Sequence, residues 1–181
     1  GSTGGKWWGD SRASPRREGG VRSIAAIRGQ PVLAANGQAA LAVSNSGRMV
    51  AIDTRSGQRV WDQRIGGNQM PWVSGTTVFM VSNQAQLIAL NLIDGRIRWL
   101  SQLTQWKHPD THDGVIAWYG PIFAGGKLWL TNSEGQLRSF DPADGKELDV
   151  IKTGTPINRT PIVADGTLYT LDDSATLTAW R

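Results

Sequence analysis

The chain has 181 residues, of which 39% are hydrophobic and 19% charged, with 22 Gly, 9 Trp, no Cys and a formal net charge of +4. That length can bury a real core. The missing cysteines exclude a disulfide framework and thiolate metal sites, and no apolar run approaches the ~18 residues of a membrane-spanning helix. No window sustains a 3.6-residue apolar period, so the short apolar runs and frequent Gly predict an all-β chain.

In chain order, residues 3–8 carry a Gly4-to-Trp8 spacing that recurs further on, and residues 9–30 form a basic linker. Lys6, Arg12, Arg16, Arg17, Arg22 and Arg28 against Asp10 and Glu18 account for the whole +4, since the remainder balances at 13 of each sign. With Pro15, Gly19 and Gly20 among them, these charges read as a solvated loop, or as a basic patch facing an acidic partner or anionic headgroups. No aromatic is interleaved with Arg12 to Arg28, which argues against nucleic acid.

From Pro31 onward the chain repeats. Pro31, Pro71, Pro121 and Pro161 each open a short apolar run followed by a Gly turn, at spacings of 40, 50 and 40 residues. Later in the unit Gly57, Gly95 and Gly145 each lie six residues after a small residue (Ala51, Ala89, Ser139), and Trp61 and Trp99 follow their Gly by four. Four short antiparallel strands every ~40 residues is the pattern of a propeller blade, which cannot bury its apolar faces without neighbours. The predicted blades are 31–66, 71–103, 121–154 and 160–181, with an insertion loop at 104–120. Trp residues at the strand tips are expected to pack between neighbouring sheets. The fourth unit lacks an outer strand, and residues 3–8 match that missing half. The reading is therefore a chain of four blades, half of an eight-bladed ring, with residues 3–8 completing the fourth blade of the same chain or of a second copy. A four-bladed monomer, a piece of a longer chain and an engineered half-propeller that self-assembles into an eight-bladed dimer stay open.

The pattern running from Ala51 through Asp53 and Gly57 to Trp61, and more loosely from Ala89 to Trp99, resembles the repeat of the pyrroloquinoline-quinone-like β-propellers. With Ser46 to Asp53, Gln63 to Gly67 and Asp94 to Trp99, the chain is similar to the BamB family of outer-membrane protein assembly factors, over what would be the C-terminal half of an eight-bladed protein. The resemblance implies a periplasmic, lipid-anchored, non-catalytic scaffold that serves the β-barrel assembly machinery. This chain lacks the lipidated cysteine, so membrane contact would come only through an anchor it does not carry. The resemblance also implies docking through inter-blade loops. The matching loop here, Val21 to Gln30, offers Arg22, Ile24 and Arg28 but none of the carboxylates expected there.

The rival implication of the repeat is a quinone-dependent dehydrogenase, which would need a calcium site, a base and typically a vicinal disulfide. Asp53, Asn91, Asp141 and Asp172 recur at equivalent or near-equivalent repeat positions and read more simply as turn residues bonding the local backbone. No catalytic residue and no cofactor are assigned. Within the insertion, His108, Asp110 and His112 have ligand chemistry for a divalent ion, but Pro109 disfavours a helix at His108 and a polar loop is the simpler reading. Trp106, Trp118 and Tyr119 are candidate anchors for a protein partner, or packing over a blade edge.

Overall fold

The computed structural model describes residues 31–181. The predicted strand 3–8 and the linker 9–30, and with them Gly4, Trp8, Arg22, Ile24 and Arg28, lie outside the described residues.

The described chain is all-β, with seventeen strands and a single 3-10 turn at Ala35–Gly37. Sheet 1 holds β1 (Val32–Ala34), β2 (Ala39–Ser44), β3 (Arg48–Asp53) and β4 (Arg59–Gln63). Sheet 2 holds β5 (Trp72–Ser74), β6 (Thr77–Val81), β7 (Gln86–Asn91) and β8 (Ile97–Gln102). The hairpin of β9 (Trp106–His108) and β10 (Asp113–Val115) follows. Sheet 3 holds β11 (Trp118–Ala124), β12 (Lys127–Asn132), β13 (Gln136–Phe140) and β14 (Glu147–Lys152). Among the described residues, sheet 4 has three strands, β15 (Ile162–Ala164), β16 (Thr167–Leu171) and β17 (Leu177–Trp180). Each sheet is an antiparallel meander in sequence order.

The insertion is thus more ordered than a loop. Its middle pairs Asp113 with His108 and Val115 with Trp106, and its last residues, from Trp118, already belong to the innermost strand of sheet 3. That strand meets Pro121 at an irregularity between Tyr119 and Ile122. The cause is local: proline has no N–H to give the ladder and is accommodated where pairing breaks.

Sheets stack face to face in sequence order. Val78, Met80, Ile88 and Leu90 pack with Leu41, Val43, Met49 and Ala51 of sheet 1. Their neighbours Phe79, Val81, Leu87 and Ala89 pack with Leu128, Leu130 and Phe140 of sheet 3. Sheet 2 is covered on both sides, which is why Val78 to Val81 and Leu87 to Leu90 are unbroken apolar runs rather than alternations. Between sheets 3 and 4 the core shrinks to Ile122, Leu137 and Leu168, with Trp129, Ile151 and Trp180 partly buried.

Two turns repeat in chemistry as well as position. After the second strand, a side-chain oxygen caps the turn: Ser44 accepts from Ser46 N, Ser82 and Asn132 from the residues two and four ahead, and Asp172 from Ser174 N and Thr176 N. After the third strand, Asp53, Asn91 and Asp141 accept from the backbone N–H two residues on. The expectation for the repeated Asp and Asn as turn formers holds for all four, but Asp172 belongs to the first turn type and the other three to the second. The two turn types lie at opposite ends of the strands, so these four oxygens do not converge.

The third-strand turn also sets the outer strand. A register shift follows Ala51, Ala89 and Ser139, so that Trp61, Trp99 and Asp149 stand opposite those small residues while Val60, Arg98 and Leu148 are left unpaired. The bulge re-aims the Trp. Trp61 Nε1 donates to Leu92 O of the next sheet at 2.8 Å, and Trp99 Nε1 donates to Pro142 O at 3.0 Å. Each indole packs directly against the next sheet's turn glycine. A Cβ on Gly95 would come within 2.6 Å of Trp61, and one on Gly145 within 2.6 Å of Trp99. Both glycines also hold positive φ, at 71° and 75°.

Gly95→Ala is expected to cost about 2–4 kcal/mol, combining the left-handed backbone with overpacking against Trp61. Gly75→Ala, at φ 57° with nothing within 4 Å of the added carbon, should cost only the backbone part, about 1–2 kcal/mol. Urea unfolding of the two variants checks this, and equal midpoint shifts would refute the indole contact as the source.

Candidate functional site

The meander divides the molecule into two rims. One carries the β3–β4, β7–β8 and β13–β14 turns. The other carries the β2–β3, β6–β7, β12–β13 and β16–β17 turns, together with the segments that lead into each innermost strand. The hairpin β9–β10 rises on this second rim, and the candidate anchors gather there.

Trp118 is buried, 6% exposed. Its Nε1 donates to Thr104 O at 2.9 Å, and the Arg138 guanidinium lies 5.4 Å from its ring centroid. The partner-anchor reading of Trp118 is therefore corrected: its strand faces sheet 2, and the indole is spent in the core between sheets 2 and 3. Trp106 and Tyr119 are half-buried. The Trp106 ring lies 5.6 Å from that of His112, and Lys107 Nζ pairs with Glu134 Oε1 at 2.8 Å, tying the hairpin to the β12–β13 turn. His108 and Asp110 are exposed near the hairpin tip. Among the described residues no group of three or more His, Cys, Asp or Glu is placed to hold a metal ion.

Two concavities open among these sheets, one of them beside the hairpin. An apolar groove of about 510 Å³ is framed by Met70, Trp72, Pro121, Ile122, Pro161 and Ile162 from three successive innermost strands and their approaches. Across it, Thr160 Oγ1 donates to Gln69 Oε1 at 3.2 Å. A second cleft of about 440 Å³ lies between the β6–β7 turn and the hairpin. Three Pro-led runs are the only trace of the groove in the sequence. Nothing local in Asn68, Gln69 or Gln105 marks them as lining residues, because the chain separation between them is closed only by stacking sheets 2 and 3.

The electrostatics are those of turns and seams. Hydrogen bonds from Ser56, mainly its backbone N–H, hold the Asp53 carboxyl below the usual carboxylate range. Ser174 and Thr176 do the same for Asp172. Asp149 stands where sheets 1 and 2 have Trp. It accepts from Lys127 Nζ at 2.7 Å and Ser139 Oγ at 2.6 Å, and these bonds, Lys127 first, lower its pKa. Lys127 in turn lies 5.9 Å from the Trp129 ring.

A family model described as outer membrane protein assembly factor BamB matches residues 1–101. The chain belongs to this family. It is 29% identical over 128 residues to BamB of Escherichia coli K12, covering 70% of this chain and 30% of that protein. Against BamB of Pseudomonas aeruginosa it is 31% identical over 133 residues, covering 66% and 31%. Among solved structures it resembles BamB from Moraxella catarrhalis, with a TM-score of 0.68 at 18% identity, over 88% of this chain and 48% of that one. It also resembles the computationally designed Ika4 protein, with a TM-score of 0.66 at 12% identity, over 86% and 91%. These likenesses show the β-propeller fold. The chain spans about a third of the length of the curated BamB relatives it matches.

A carboxylate with a lowered folded-state pKa stabilises the fold above its unfolded pKa, near 4, and that contribution is lost as pH falls through the folded value. The urea midpoint should therefore fall as pH drops from about 4 towards 2. Asp149→Asn should flatten that decline, by removing one of the titrating groups, and a pH profile identical to that of the parent chain would exclude the Asp149 seam as a contributor.

Proposed function

We propose that this chain is a non-catalytic protein-binding scaffold of the BamB type, acting in the periplasm at the outer membrane, with a protein of the β-barrel assembly machinery as partner. The family match over residues 1–101 carries the reading. The local chemistry supports it, since the repeated Asp53, Asn91, Asp141 and Asp172 oxygens are engaged with their own turns rather than with a shared ligand site. The docking rim in this reading is the one bearing the hairpin. Trp106 and Tyr119 are half-buried there, so they offer large rings at little entropic cost.

Association through exchange of residues 3–8 belongs to the same proposal. In sheets 1 and 2 the position opposite Ala51 or Ala89 is filled by a Trp of the fourth strand. The corresponding Ala179 of β17 pairs with Tyr169 on one side and, among the described residues, with no strand on the other. Leu177 beside it is 63% exposed. A Gly4-to-Trp8 segment matches the partner such an edge takes in sheets 1 and 2 in composition and spacing, whether from the same chain or from a second copy.

Sedimentation equilibrium at micromolar concentration is expected to give twice the 19.6 kDa chain mass, with Trp8→Ser shifting it towards monomer. A parent chain that stays monomeric removes the exchange. Docking is tested separately by surface-immobilised binding to a purified soluble domain of the barrel-assembly protein. Trp106→Ala should weaken it about tenfold or more, the scale of a central anchor, and absence of any binding by the parent chain rejects the scaffold reading.

A further inference from the structure

The cleft between the β6–β7 turn and the hairpin has a lining that protein docking does not explain. Its volume of about 440 Å³ falls in the range of small-molecule sites. Among the described residues, no Asp, Glu, Lys, Arg or His lines it. Its polar groups are carboxamides and hydroxyls that the fold leaves with spare capacity. Asn83 donates through Nδ2 to Asn45 O at 2.9 Å, which leaves its Oδ1 open, and Gln69 accepts through Oε1 from Thr160, which leaves its Nε2 open. The side chains of Asn68, Gln105 and Tyr119 make no hydrogen bond within the described fold. Its apolar surface comes from the exposed Val115 side chain and the half-buried Tyr119 ring, the Trp118 indole being buried.

We infer that this cleft binds a neutral polyhydroxylated ligand, a short uncharged glycan. An ionic ligand would exchange its hydration for groups that offer it no opposite charge, and burying a charge without a partner is costly. A sugar ring presents the complementary surfaces: a C–H face for the Tyr119 ring, and a rim of hydroxyls that both donate and accept, as carboxamides do. An extended peptide is the weaker occupant. Peptides dock by adding main-chain hydrogen bonds to a free edge. Here the amides of Ser82, Asn83 and Ile116 are already used, on Gln86 O, Gly66 O and Gln105 O.

The test is titration of the uniformly ¹⁵N-labelled chain with chitobiose, cellobiose and maltose, and in a parallel arm with a blocked, uncharged tri-alanine peptide. At least one disaccharide should shift the Trp118 indole signal and the side-chain amide signals of Asn68 and Gln105, with saturation by about 10 mM, typical of weak sites. Asn68→Ala and Gln105→Ala change an exposed and a half-buried group that make no side-chain hydrogen bond within the described fold. Together they should lower the affinity about tenfold, the loss of one or two hydrogen bonds, with the thermal midpoint unchanged. No shift with any of the three sugars overturns the inference, as does a response of the same signals to the peptide alone, or sugar affinity that survives both substitutions. Because the cleft lies between sheets 2 and 3 of one chain, none of these results depends on the scaffold or dimer reading.

Discussion

The stack depends on the contact between a tryptophan of one sheet and a glycine turn of the next. A β-meander of four short strands has two apolar faces and no means of covering either, so the free energy of folding lies between sheets rather than within them. Trp61 on Gly95 and Trp99 on Gly145 fix how each pair of sheets is placed. The indole brings area, its N–H satisfies a carbonyl of the neighbouring turn, and the missing side chain on glycine lets the ring pack directly against it. Three requirements meet at one residue pair: a bulge to aim the Trp, a positive φ at the turn, and no Cβ beneath the ring.

The seam between sheets 3 and 4 departs from this rule. Asp149 takes the position of the indole and binds Lys127 and Ser139 of its own sheet instead of reaching forward. The apolar core there is correspondingly small. Exposed ion pairs contribute little on their own, so this seam is held chiefly by Leu168, Ile122 and Leu137 with Trp180 over them. Burial therefore falls from sheet 2, covered on both faces, towards sheet 4, whose far face leaves Ile162, Leu171 and Leu177 exposed. The hairpin and the cleft beside it sit at sheets 2 and 3, while the apolar groove reaches on to Ile162 of sheet 4.

The insertion shows where reading residues in isolation misleads. His108, Asp110 and His112 look like a ligand set because they are close in sequence, but a hairpin tip spreads its side chains outward. Trp118 looks like an exposed anchor because it falls in an insertion between two repeat units, although it is the first residue of an innermost strand. In both cases local chemistry was legible and direction was not. Whether a ring faces solvent or a neighbouring sheet depends on the register of β11 against β12 and on what sheet 2 brings opposite.

The sequence by itself determined the strands, the four-unit repeat, the Gly turns and the capping oxygens, because each is decided within about ten residues by backbone preference, alternation and side-chain hydrogen bonds. Its repeat also placed Trp61 and Trp99 between sheets. Only the tertiary structure decided which glycine each indole covers, that Asp149 closes the third seam with a lysine, and that carboxamides from Asn68 to Gln105 line one cleft. Those are contacts between sheets, and they exist only once the sheets have stacked.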